Sequence, residues 1–234
     1  MKNWFELEVR KIRIKTYLFA GIGIMVGLTG MTLLFLAVSQ TEGEEDTIFL
    51  IWEGQAALVS ALNFACCTIF ATTATGNVII RDYGKEKASL LFSYPVPRKK
   101  IYQVKCLLVG ALTLPVAITG IGVPLGVLYA VSWVTGIQLQ TISGRFWMEV
   151  PAAGMLTGVV ALSAALISSL AGWKKKSATA PIICACLIVC AVANLIAISP
   201  RHLIWRLAGM SVVFVAGTMF TRNRTANKIE KMEV

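Results

Sequence analysis

Residues 106–144 read CLLVGALTLPVAITGIGVPLGVLYAVSWVTGIQLQTISG, without one charged side chain. About 20 apolar residues cross the hydrocarbon core of a bilayer at roughly 1.5 Å rise each. By length alone the run holds one crossing or two, and its composition decides between them. As far as Val134 it is almost wholly apolar, but Gln138, Gln140, Thr141, Ser143 and Gly144 make poor hydrocarbon filler. One crossing fits, near residues 106–133, bent by Pro115 and Pro124. Five further uncharged runs accompany it: Thr16–Thr41, Gly54–Ile80, Val150–Trp173, Ser177–Pro200 and Leu207–Thr221. The last is short by a turn, and Leu203, Ile204 and Trp205 extend it if Arg206 snorkels. The expected fold is therefore all-α integral membrane, a single transmembrane domain over residues 1–234. Its six transmembrane helices lie near 16–40, 54–80, 106–133, 151–173, 177–199 and 203–221. Composition agrees: 56% of the chain is hydrophobic and 15% charged, where soluble domains hold about 45–50% and about 25%. The apolar run after the basic start is too long for a signal-peptide core and lacks a small-x-small cleavage site. The first span is expected to stay in the mature chain.

Charge sets the orientation. With both termini inside, the inner segments 1–15, 81–105, 174–176 and 222–234 hold five, seven, three and four basic residues, or 19 of the 22. The outer segments keep only Arg145, Arg201 and Arg206. This is the positive-inside pattern, and it predicts an N-in, C-in arrangement. The net charge of +10 follows from that topology beside an anionic inner leaflet, and calls for no nucleic-acid partner. The acidic group Glu42, Glu44, Glu45 and Asp46 falls outside as a solvated loop. Cys66, Cys67, Cys106, Cys184, Cys186 and Cys190 lie in or beside apolar spans with no zinc or redox spacing, and read as small polarizable packing residues. The single histidine, His202, has no partners for a metal.

Residues 1–15 read as an interfacial helix on the inner leaflet, with Phe5, Val9 and Ile12 on one face, Glu6, Arg10 and Arg13 on another, and Trp4 as a headgroup anchor. Gly23 with Gly27 (and Gly30 beyond), Gly122 with Gly126, and Gly154 with Gly158 carry the small-xxx-small spacing of closely packed membrane helices. Asn63, Thr68, Thr72 and Thr75 give the second span a polar stripe, which reads as interhelical hydrogen bonding ahead of a substrate path. No ionisable residue is expected deep in any span, which argues against an ion-coupled carrier or a voltage sensor. No HExxH pair, paired aspartates or serine–histidine arrangement is present, so this chain is expected to be non-catalytic.

Most informative is the cytoplasmic loop 81–105, RDYGKEKASLLFSYPVPRKKIYQVK. Its first part is polar. Leu90, Leu91, Phe92 and Tyr94 then form an apolar patch, and Pro95 and Pro97 stop any helix and hold the turn extended. Arg98, Lys99, Lys100 and Lys105 follow at the base of the next span. An apolar patch of this kind either rests on lipid or plugs into a partner protein.

The loop resembles the corresponding segment of ATP-binding-cassette (ABC) type-2 permeases, of the short six-span bacterial kind. Those proteins carry an acidic residue, a Gly-Thr, a leucine-rich run and a Ser-x-Pro-Val-x-Arg stretch that closes on lysine. Asp82 with Tyr83 matches the start, Leu90-Leu91-Phe92 the leucine run, Ser93-Tyr94-Pro95-Val96-Pro97-Arg98 the proline turn and Lys105 the end. Glu86-Lys87 stands where the Gly-Thr usually falls. The resemblance implies that the loop is a coupling helix docking into an ATPase, through Asp82, Tyr83, Leu90, Leu91, Phe92, Tyr94, Pro95 and Arg98. It also implies an exporter in the bacterial cytoplasmic membrane, with a second permease copy or a sister permease. Two copies of a separate ABC ATPase subunit would hold the ATP and magnesium, since this chain has no phosphate-binding loop of its own. The proline-turn type is similar to permeases of peptide export and of self-protection against antimicrobial peptides, implying a hydrophobic or amphipathic cargo.

The competing class is a membrane scaffold or sensor subunit that docks a signalling protein through the same loop. A membrane-embedded lipid enzyme would need acidic or histidine clusters that the sequence lacks. Residues 135–150 form an amphipathic outer loop in which Phe146 and Trp147 either shape an exit gate or anchor at the headgroups. For the gate, replacing both by serine is expected to lower export; unchanged export would leave the anchor.

Overall fold

The computed structural model describes residues 14–41, 52–80, 98–135, 144–175, 179–197 and 203–230, all of them helical. The helices are α1 (Ile14–Thr41), α2 (Trp52–Thr75, running on into a π turn at Gly76–Ile80), α3 (Arg98–Thr135), α4 (Gly144–Lys175), α5 (Thr179–Ala197) and α6 (Leu203–Glu230). Each is long and apolar enough to cross a membrane. The all-α class and the six spans read from the sequence are thus present, and the chain has the make-up of a multi-pass membrane protein. The interfacial helix expected at 1–15 lies outside the described residues except for Ile14 and Lys15, which open α1. The largest extensions ahead of the uncharged runs are those of α3 and α4. α3 begins at Arg98, so Arg98–Lys105 are helical. α4 begins at Gly144, taking in Arg145, Phe146 and Trp147 and carrying Pro151 within it.

The bundle is built around α2 and α4, the two most buried helices. α2 packs on α3, α4 and α5; α4 packs on α2, α3, α5 and α6; α1 leans mainly on α3. The core joins Val59, Phe64 and Cys67 of α2 to Ala117, Ile121 and Leu125 of α3, Ala153, Val160 and Ala161 of α4, Ile196 of α5 and Leu207 of α6. The outer faces of α1, α5 and α6 stay apolar, with Phe19 71%, Leu187 67% and Val212 70% exposed. Lipid solvates such a surface as well as another helix would, so association in a membrane depends on close packing and polar contacts between helices.

Only some of the glycine pairs provide that packing. A Cβ on Gly154 would stand 2.9 Å from the Cα of Ile118, and one on Gly158 2.9 Å from the Cβ of Ala117. The backbones of α3 and α4 meet at these two residues. Gly122, Gly126, Gly23, Gly27 and Gly30 have nothing within 4 Å. The reason is rotational. The buried stripe of α3 runs Ala117, Ile121, Leu125, Leu128, and Gly122 and Gly126 each sit one residue, about 100°, off it.

Candidate functional site

The candidate site is the end of the bundle where α2 stops and α3 starts. Asp82, Tyr83, Leu90, Leu91, Phe92, Tyr94 and Pro95 lie outside the described residues. Arg98 is the first residue of α3. What is described is the frame that holds the two ends of segment 81–97.

That frame is closed by Lys105, whose side chain is fully buried. Its neighbours along α3 explain why. Tyr102, Lys105, Leu108 and Val109 fall at i, i+3, i+6 and i+7, one continuous face, and all four are buried. They pack with Ala74, Val78 and Ile79 of α2, and with Tyr17 and Leu162 at the edge. A buried basic side chain needs acceptors. The C-terminus of a helix supplies carbonyls that lack partners within the helix, at the negative end of its dipole. Lys105 Nζ donates to the carbonyl oxygen of Val78 at 2.9 Å, inside the π turn Gly76–Ile80. The first turn of α1 closes over this region through an edge-on contact of Tyr17 with Phe70, centroids 6.0 Å apart. On the other side Gly172 of α4 leaves no spare room, since a Cβ there would stand 2.5 Å from Ile80 Cδ1 and 2.6 Å from Pro181 Cγ. Four helices, α1, α3, α4 and α5, therefore gather around the end of α2.

From this end a buried polar stripe runs along α2 through Thr75, Thr72, Thr68, Asn63, Ser60 and Gln55. Of the four residues whose sequence pattern suggests interhelical bonding, Asn63, Thr68, Thr72 and Thr75, Asn63 bonds across to another helix. Asn63 Nδ2 donates to the carbonyl oxygen of Ala117 on α3 at 2.9 Å. Its Oδ1 accepts from Cys67 Sγ at 3.3 Å and occupies the place a Cβ on Gly120 would take. The threonine hydroxyls turn back onto their own helix, Thr68 to Phe64, Thr72 to Thr68 and Thr75 to Ala71, each at 2.7 Å. Such i−4 bonds satisfy the hydroxyl without tying it to a neighbouring helix.

At the opposite end Trp52 opens α2, Trp147 lies in the first turn of α4, and Tyr129 of α3 stands between them. Tyr129 lies 6.1 Å from Trp52 and 5.2 Å, edge-on, from Trp147. Trp147, one of the two outer-gate candidates, is thus part of an aromatic clasp across three helices and is 41% exposed. Phe146 precedes it in the same turn. Arg206 of α6 donates from Nη1 to the carbonyl oxygen of Leu195 at 2.7 Å, capping the last turn of α5. Arg206 and Lys105 thus do the same thing: each reaches back to the carbonyl end of the preceding helix. Sequence reasoning missed both caps. Among the described residues no group of three or more His, Cys, Asp or Glu side chains comes together, and no disulfide joins the six cysteines.

No protein-family model, curated protein or solved structure matches this chain. Among the described residues, fold and site define a bundle of six helices, each long and apolar enough to span a membrane, with a braced junction at the α2–α3 end.

Proposed function

We propose that the chain is the membrane-spanning permease subunit of a bacterial ABC exporter. It moves a hydrophobic or amphipathic cargo (a peptide, antibiotic or lipid-like compound) with ATP hydrolysed by a separate ATPase subunit. The observation that carries this reading is the position of the 81–105 stretch. The residues that resemble a coupling motif connect the most buried helix of the bundle to its neighbour, and the two helix ends are tied together by Lys105 and Val78. A partner pressing on that stretch acts on the centre of the bundle directly. In this reading the α2–α3 end faces the cytoplasm, in keeping with the 19 basic residues of the inner segments. The Trp52–Tyr129–Trp147 end faces outward. Two ATPases, holding ATP and magnesium, serve two permease subunits, the second being another copy or a sister chain.

The test is capture of partners from the native membrane. Wild-type chain purified in mild detergent is expected to bring with it a single-domain ATPase that has a phosphate-binding loop. Tyr94→Asp, which puts a charge in the apolar docking patch, is expected to lose most of it. A stably folded chain that brings no ATPase in either form would overturn the reading and leave the scaffold alternative.

A further inference from the structure

We propose that Lys105 is a positioning residue for energy coupling. It holds the Gly76–Ile80 turn of α2 in its π form, and that turn is the joint through which the ATPase moves the bundle. The proposal rests on the exporter reading above and adds to it the moving part.

Three observations support it. First, the turn is the only departure from α geometry among the described residues, and it ends where segment 81–97 begins. A π turn takes up one residue more than the α-helix around it, costs hydrogen-bond quality, and tends to occur where function needs it. Secondly, its placement makes it a switch between two arrangements. Closing the π turn to α advances everything beyond it by one residue, a rotation of about 100° about the helix axis. Asn77 is exposed while Gly76, Val78 and Ile79 are buried, so removing Asn77 shortens the turn without taking a buried side chain out of it. Thirdly, Lys105 selects between the two. Its Nζ is within hydrogen-bond distance of Val78 O, a carbonyl inside the turn itself. A change in the start of α3 therefore alters the end of α2, and the reverse. The packing around Ile80, bounded by Gly172 and Pro181, then carries the change to α4 and α5. The links are between described residues: Lys105 bonds Val78 O, and Ile80 and Pro181 both lie against Gly172.

The experiment uses the complex captured from native membranes and returned to vesicles of its own lipid, with MgATP as the probe. Wild type is compared with Lys105→Met, which keeps the stem and removes the donor, and with deletion of Asn77, which lets the turn close to α. Both variants are expected to capture the ATPase in wild-type amount. In both, kcat for MgATP hydrolysis is expected to fall about tenfold, within the usual range of coupling between sites, with KM for ATP unchanged. Both variants break the bond of Lys105 to Val78 O, by removing the donor or moving the acceptor, and both are expected to lower the thermal midpoint of the chain. A merely structural role would lower ATPase capture in proportion to turnover, whereas loss of the joint lowers turnover per captured ATPase. Wild-type turnover in the deletion variant, or in Lys105→Met, overturns the joint while leaving the exporter reading intact. Absence of any ATPase from the wild-type capture overturns both. Should Lys105→Met fail to accumulate, the deletion decides alone.

Discussion

Replacing Gly154 by valine is expected to lower the unfolding free energy of the solubilised chain by about 3 kcal/mol, the upper range for overpacking a tight contact. Valine at Gly122 or Gly126 is expected to change it by less than about 0.5 kcal/mol, as for substitutions that touch nothing. All three glycines belong to pairs with the same spacing, so the contrast isolates packing from sequence pattern. The Cβ of residue 154 meets the α-carbon of Ile118 at 2.9 Å and the carbonyl oxygen of Ala117 at 3.4 Å. Neither is the flexible end of a side chain, so α3 and α4 must part to make room. Parting them also withdraws Ala117 from Gly158 and strains the bond from Asn63 to the Ala117 carbonyl. Gly158→Val is expected to behave similarly, since Ala117 Cβ at 2.9 Å cannot turn away even where Leu114 Cδ2 at 3.1 Å can. Unfolding followed by far-ultraviolet circular dichroism during titration with a denaturing detergent measures the difference. Equal tolerance at 154 and 122 would mean that α3 and α4 do not meet through Gly154.

The same glycines show how far the sequence could be read. Six spans were legible because charge is excluded from hydrocarbon so strongly that the gaps between charged clusters mark the helices. The spacing of small residues shows where close approach is possible, but not which face of the helix is turned inward. That depends on the whole stripe, Ala117, Ile121, Leu125 and Leu128 on α3, and Gly122 and Gly126 miss it. Lys105 was hidden for a related reason. It follows Arg98, Lys99 and Lys100 at the base of the third span and reads as the closing lysine of the motif, and neither feature says which side of the helix it takes. A helix drawn from Arg98 onward puts it in line with Tyr102, Leu108 and Val109, and burial follows. The polar stripe of α2 was visible, but whether a threonine bonds across to a neighbour or back to its own helix depends on packing distances that no single sequence carries. The candidate docking residues, Asp82 to Pro95, fall outside the described residues, so that site is defined by the junction that flanks it.

Charge reversal at that junction is expected to be the most damaging single change. Lys105→Glu removes a donor that sits 2.9 Å from Val78 O and puts in its place a group that, when ionised, can only accept. The new carboxylate would face a carbonyl at the negative end of α2, where the helix dipole also opposes it. Losing the bond to a charged donor costs about 2 kcal/mol and an uncompensated buried charge several more, so a total of about 4 kcal/mol or more is expected. That is a large share of the roughly 5–15 kcal/mol that holds a typical protein folded, and the chain is expected to disappear almost entirely from the membrane fraction. Arg206→Glu supplies the control. Arg206 makes the equivalent cap on Leu195 O at 2.7 Å but is only half-buried at the end of its span. A glutamate there can turn towards the headgroups, and a loss of about 1 kcal/mol is expected, the net worth of an ordinary hydrogen bond. Quantitative immunoblotting of membranes, with the thermal midpoint of whatever survives, ranks the two. Equal accumulation of both variants would show that the Lys105 side chain is not sealed into the bundle and that the brace between α2 and α3 does not carry the stability assigned to it.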